Sequence, residues 1–210
     1  MRRIAPVLAL AVAIAPGPAT RAEDSALDRR VRAFLERSRG EWRDLNVPWE
    51  DGQALFDVVV KNRLTRGLEI GTSTGHSTIW IAWALARTGG RLTTIEIDPY
   101  RHAEAKRNLE KAGVAHVVDA RLADAHELVR QLPGPFDFVF SDADKDWYLQ
   151  YFRDVDPKLV VGGCFTAHNV RRGGWGGAAE FLSHVERLPN YRTTVLTDGA
   201  GLSISCKTAP

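Results

Sequence analysis

The run Leu68–Ser77, LEIGTSTGHS, constrains this chain more than any other stretch. An apolar segment closes on an acid, two glycines bracket a short polar loop, and a helix-like run starts at Ser77. That is the strand, tight turn and helix start with which an α/β sheet opens a nucleotide pocket at the carboxyl end of its first strand. Glycine admits φ > 0 and lets backbone approach a ligand. The helix start presents free N–H groups. The spacing is G-x-x-x-G, not the G-x-G-x-x-G of dinucleotide enzymes. Glu69, two positions before Gly71, repels phosphate and suits a ligand with a positive end. S-adenosylmethionine, with its ammonium, sulfonium and adenosine, fits. Alone, the segment serves a purely structural loop equally well.

Two further strand ends favour the ligand. Arg91–Asp98 reads as a second strand closing on acid, and Glu96 lies 25 residues beyond Gly71, where such folds place a carboxylate on ribose hydroxyls. Phe136–Tyr148 reads as a buried strand running into Asp142, Asp144, Lys145 and Asp146. Charges gathered at a buried strand end are costly unless they bind something. Asp146 suits a solvated helix start. Asp142, directly behind the apolar run, suits function.

The rest alternates strand and helix, which predicts a parallel sheet covered on both faces. Helices are expected near 25–37, 51–61, 75–87, 99–112, 124–132, 146–153 and 177–187. Strands are expected near 67–70, 92–97, 117–121, 136–141, 160–167, 192–196 and 202–206. Thr197–Gly201 is turn chemistry, so the last two strands should form a hairpin. The fold class is therefore α/β, a single-domain doubly wound sheet, mostly parallel with an antiparallel C-terminal hairpin strand. A formal net charge of +2, with no basic stripe interleaved with aromatics, argues against a nucleic-acid partner.

The first 22 residues have the layout of a signal peptide: Met1-Arg2-Arg3, an apolar run over Ile4–Ala15, then breakers and small residues to Ala22. The apolar run is short for a membrane span, so stable membrane insertion is not expected after cleavage. Residues 23–45 read as an N-terminal helical segment and 46–210 as the main domain. The expectation is an exported, periplasmic protein. A cytoplasmic one is the alternative, because S-adenosylmethionine is made in the cytosol.

From about Asn46 onward the chain resembles the class I S-adenosylmethionine-dependent O-methyltransferases, and within them the catechol and caffeoyl-coenzyme A O-methyltransferase family. The matching segments are Asp51–Gln53, Glu69–Ser77, Thr94–Asp98, Lys111–Gly113, Asp142–Tyr148, Gly162-Gly163, Asn169 and Gly201–Ser205. The resemblance implies a Rossmann-like methyltransferase fold, S-adenosylmethionine as methyl donor and a small hydroxylated, aromatic, catechol-like acceptor. It implies cofactor contacts at Val47, Glu69, Gly71, Thr72, Ser77, Glu96, Ala125 and Asp144, with Asp124 beside the adenine. It implies a divalent cation on Asp142, on the residue before Asn169, and on Asn169, with Lys145 as base. It also places the last strand antiparallel to the one that begins near Cys164. A Cys164–Cys206 disulfide is then open, but two buried free thiols are expected.

The departure is at the second ligand. The family has Asp-Asn; this chain has His168-Asn169. A neutral imidazole removes a negative charge and favours Zn²⁺, Fe²⁺ or Mn²⁺ over Mg²⁺. Three readings stand: His168 as a transition-metal ligand, His168 as general base without metal, or His168 as a structural residue with the metal site lost. The other five histidines, His76, His102, His116, His126 and His184, read as structural, with His76 nearest the cofactor. Trp49, Trp147 and Trp175 either wall a flat acceptor or simply pack. The insertion after the Asp-Asn pair is shortened to Val170–Gly177, with Arg171 and Arg172 facing either an anionic acceptor or solvent. An inactive relative that keeps the cofactor fold is the alternative to an enzyme. A nicotinamide oxidoreductase is disfavoured by the missing G-x-G-x-x-G. A homodimer is left open.

Overall fold

The computed structural model describes residues 25–42 and 44–210. The signal-peptide expectation for residues 1–22 lies outside them. Seven strands form one sheet: β1 Arg66–Ile70, β2 Arg91–Glu96, β3 Val118–Leu122, β4 Phe136–Ser141, β5 Leu159–His168, β6 Tyr191–Leu196 and β7 Leu202–Lys207. Their spatial order is β3-β2-β1-β4-β5-β7-β6. The first five are parallel, and β7 runs antiparallel between β5 and β6. The chain reverses direction across the sheet between β1 and β4, which is where a crevice opens at the carboxyl ends of the strands.

Seven α-helices cover the sheet: α1 Ala26–Ser38, α2 Trp49–Lys61, α3 His76–Thr88, α4 Pro99–Ala112, α5 Ala125–Gln131, α6 Tyr148–Val155 and α7 Gly176–Val185. Their ends follow local chemistry. Ser25 and Asp28 close a capping box on α1. Asp98 caps α4 through the Tyr100 and Arg101 amides ahead of Pro99, and Gly113 ends that helix in the left-handed region. Alternation along the strands splits the apolar interior in two. Phe138 and Phe140 face a core shared with α1 to α4, while Val139, Leu68 and Ile70 face one shared with α5, α6 and α7.

The cysteines correct one expectation. Cys164 and Cys206 form a disulfide, and neither is free. The reason is register: β5 and β7 pair so that Cys164 sits directly opposite Cys206.

Candidate active site

The crevice is one cavity of about 750 Å³ above the carboxyl ends of β1, β2, β4 and β5. Its β1 side starts at Gly71, with φ +97°. A Cβ there would lie 2.8 Å from the Asp142 carbonyl oxygen, so only glycine lets the turn after β1 pass the end of β4. Glu96, at the end of β2, is nearly buried and rigidly held. Its Oε2 accepts from the Ser73 amide (2.6 Å), and its Oε1 accepts from the amides of Ile97 (3.0 Å) and Asp98 (2.9 Å). The Ser73 hydroxyl, on the same wall, is buried with no hydrogen-bond partner.

Val47, Gly71, Thr72, Ser77, Glu96, Ala125, Asp144, Asp142, Lys145, His168 and Asn169 all line this cavity, with Asp124 among them. Glu69 does not. It is fully buried beneath the wall, and its carboxylate accepts the hydroxyls of Ser77 (2.7 Å), Thr78 (2.6 Å) and Thr94 (2.6 Å). The expected contact with the cofactor is thus replaced by support of the loop and of the α3 start. Burial pushes the Glu69 carboxyl up to about 7; the three hydroxyls pull the other way, and Asp142 adds a small upward push.

The β4–β5 side holds a connected chain of charge. His168 ends β5 almost fully buried, with Nδ1 3.0 Å from Asp142 Oδ2 and Nε2 3.0 Å from Asp51 Oδ2. Lys145 Nζ donates to Asp142 Oδ1 and, at 2.8 Å, to the Tyr148 hydroxyl, which donates to the His168 carbonyl (3.0 Å). Burial alone would lower the His168 pKa, but the bonds and charges of Asp142 and Asp51 outweigh it and raise it to about 9. Burial likewise acts to raise Asp142, yet His168 and then Lys145 hold it below the usual carboxylate range.

This arrangement does not fit the metal set that the resemblance implies. Both ring nitrogens of His168 face carboxylate oxygens at bonding distance, so the ring carries a proton on each and offers no lone pair. Both oxygens of Asp142 are engaged by cations. Among the described residues, no three His, Cys, Asp or Glu side chains converge as ion ligands.

Two participants escaped the sequence reading. Asp51 sits in the first turn of α2, where an acid is favoured by the helix dipole alone, so the matching segment Asp51–Gln53 assigns it no role. The signal available was its neighbour Gly52, whose absent side chain lets α2 press against Trp80. His126 was read as structural, yet it lines the cavity, stacks on Trp147 with centroids 3.8 Å apart, and lies 3.5 Å from Asp144. Its place between Asp124 and Trp147 emerges only from the fold. Of the three loop tryptophans none lines the cavity: Trp49 packs edge-on against Trp80 (4.8 Å), Trp147 backs His126, and Trp175 is exposed.

A sequence model described as "O-methyltransferase" matches residues 19–180. The chain belongs to the O-methyltransferase family. The match takes in α1 as well. A catechol O-methyltransferase of Mycobacterium tuberculosis is 43% identical over 154 residues, 72% of this chain and 68% of that one. A catechol O-methyltransferase of Niastella koreensis is 42% identical over 111 residues, 51% of this chain; the match spans only half the length of that relative. Among solved structures, the O-methyltransferase TomG of Streptomyces achromogenes in complex with S-adenosylmethionine superposes with a TM-score of 0.74 at 28% identity, covering 87% of this chain and 91% of that one. Nothing in these relatives favours the inactive alternative. Among the described residues, no helix is long and apolar enough to cross a membrane.

Proposed function

We propose that the protein is an S-adenosylmethionine-dependent O-methyltransferase whose acceptor is a small hydroxylated aromatic of the catechol kind. The observation that carries this is the single cavity with two unlike ends. One is a glycine turn flanked by Glu96, and the other is the Lys145–Asp142–His168 cluster. S-adenosylmethionine, when bound, supplies the methyl: the acceptor oxygen bonds to the methyl carbon as the sulfonium C–S bond breaks, its electron pair staying on sulfur as a neutral thioether.

The chain's own residues then have two tasks. The first is alignment. Glu96 is a fixed anionic acceptor for the ribose hydroxyls, and the unpartnered Ser73 hydroxyl adds a hydrogen-bonding group on the same wall. Asp144 sets negative charge where a cationic amino group is to be held, and Asp124 sets an acceptor beside the adenine. The second task is to free the acceptor oxygen, because a phenol has a pKa of about 10. Lys145, in the charged cluster on the wall, takes that proton in its free-amine form, and the positive ring of His168 behind Asp142 favours the resulting oxyanion.

The test is product analysis by mass spectrometry after incubation with S-adenosylmethionine and catechol. A singly methylated catechol and S-adenosylhomocysteine in equal amounts are expected. Binding of S-adenosylmethionine with no methyl transfer to any catechol would refute the acceptor assignment. Absence of binding would refute the reading as a whole.

The disulfide supports export, because such bonds persist in oxidising compartments. Mass spectrometry of periplasmic and cytosolic fractions should recover a bridged chain cut near Ala22 from the periplasm. An intact, reduced chain confined to the cytosol would count against export.

A further inference from the structure

The donor set at the β4–β5 end departs from what the family resemblance implies, and the departure has a positive content. Asp51 comes from α2 and reaches His168 across 117 positions of sequence. It is almost fully buried, and its Oδ2 also accepts from the Ala200 amide at 2.8 Å, in the turn of the β6–β7 hairpin. The hairpin is pressed onto this carboxylate: a Cβ on Gly199 would lie 2.3 Å from Asp51 Oδ1. Asp51 is therefore clamped from two sides and aims at one ring nitrogen. Asp142 aims at the other and takes Lys145 on its second oxygen. Two carboxylates and two cations alternate in a line, and the line is neutral.

We propose that the Asp51–His168–Asp142 chain takes the place of a divalent cation, so that this protein transfers methyl without one and the imidazolium of His168 supplies the fixed positive charge beside the acceptor. The inference rests on the methyl-transfer reading above. Three features of the geometry carry it. The ring has no lone pair left for a metal. Displacing the ring's proton by a cation would break a buried bond to Asp51, leaving that carboxylate without its charge partner. Mg²⁺ keeps several waters but is anchored by one or two carboxylates, while both Asp142 oxygens already face cations and, of the ligands the resemblance implies, only the exposed Asn169 would remain. Lys145 first gives its own proton to solvent; the free amine then takes the acceptor's proton, and the ammonium that forms beside Asp142 restores the neutral line. Asp51 is a positioning residue: it touches no reactant and acts through the orientation and charge of His168.

The experiment uses the full chain. Magnesium, manganese and zinc chlorides are each titrated into the wild type by calorimetry, metal content is measured after purification, and methyl transfer to catechol is assayed with and without EDTA. Wild type should give no saturable metal binding and less than stoichiometric metal. Its rate should change less than twofold with EDTA. His168→Asp recreates an all-oxygen site and should gain saturable Mg²⁺ or Mn²⁺ binding, with a matching rise in melting temperature. Stoichiometric metal in the wild type, or a tenfold EDTA loss restored by metal, would overturn the proposal. So would a folded His168→Asp that binds no ion, since the ring would then not be what excludes it. If no acceptor is methylated, the functional reading fails, while the metal titrations still decide this inference.

Discussion

Two carboxylates, Glu69 buried and Asp142 half-buried, stand at neighbouring strand ends, and the sheet treats them in opposite ways. Glu69, near the end of β1, is caged by three hydroxyls that carry no charge. Asp142, just past the end of β4, is caged by His168 and Lys145. Neutral donors soften the burial of an anion without cancelling it, so Glu69 is raised to about 7. Cationic partners overcompensate, so Asp142 is lowered. Burial alone therefore does not say whether a carboxylate is a working anion; the sign of its cage does. Glu69 holds a wall together, and Asp142 holds charge beside the cavity.

The largest effect should come from breaking the charged cage. Lys145→Met should lower kcat by roughly 10²–10⁴-fold, the range for losing a positioned base, with S-adenosylmethionine affinity retained. Glu69→Gln should cost less than tenfold, because Glu69 does not reach the cavity. Steady-state kinetics of both variants with calorimetry of cofactor binding decides it. Equal losses would mean that Glu69 takes part in the chemistry and that the contrast is false.

Next comes stability. Asp142→Ala leaves Lys145 and the buried His168 without their shared anion, and removing one partner of a buried pair costs about 3 kcal/mol or more. Urea denaturation at pH 7 should show the midpoint falling accordingly. A change under 0.5 kcal/mol, about the scatter of surface substitutions, would show that the cluster is solvated rather than buried.

These contrasts also show what was legible in the sequence. Patterning was enough for every strand of the sheet, because alternation, turn residues and caps are local. About half of the cavity wall is legible too, chiefly through the family resemblance, because strand ends and the residues after them are contiguous in sequence. Glu69 was misplaced because an acid before a glycine turn reads the same whether it points up into the pocket or down into hydroxyls, and Thr78 and Thr94 lie on other elements. Asp51 was silent because its partner is 117 positions away. The disulfide stays open in the sequence because neighbouring strands can be expected there, but only their register decides whether the two cysteines meet.

The pH dependence of stability sharpens the comparison further. A carboxyl raised from 4.5 to about 7 stabilises the fold below pH 4.5, and that contribution is lost as pH climbs to 7. At about 1.4 kcal/mol per unit this is on the order of 3 kcal/mol. His168, raised from 6.5 to about 9, contributes fully below pH 6.5 and loses its contribution as pH rises through 9, again on the order of 3 kcal/mol. Glu69→Gln should flatten the first window only and His168→Gln the second only, read as melting temperature against pH. Asp142 works on the acid side: its contribution is present above its ordinary 3.8 and is lost as pH falls through its lowered value. A single variant that removed both the Glu69 and the His168 windows would show that the two cages titrate as one unit.

The smallest effect tests whether the cages communicate. Asp142 is the last and weakest of the influences on Glu69, an anion not in contact that pushes its pKa upward. Asp142→Asn removes that charge while keeping the side chain's shape, so Glu69 should titrate at slightly lower pH than in the wild type. The shift should be far smaller than the displacement caused by burial, which the substitution leaves in place. A carbon-detected NMR titration of the Glu69 carboxyl in both proteins measures it. The effect should persist at high salt, because charges separated by protein interior are screened little by ions. A shift that vanished in salt would mean that solvent reaches between the two strand ends. A shift in the other direction would mean that the substitution loosens the hydroxyl cage, so that Glu69 depends on the charged cluster for its structure as well as for its field.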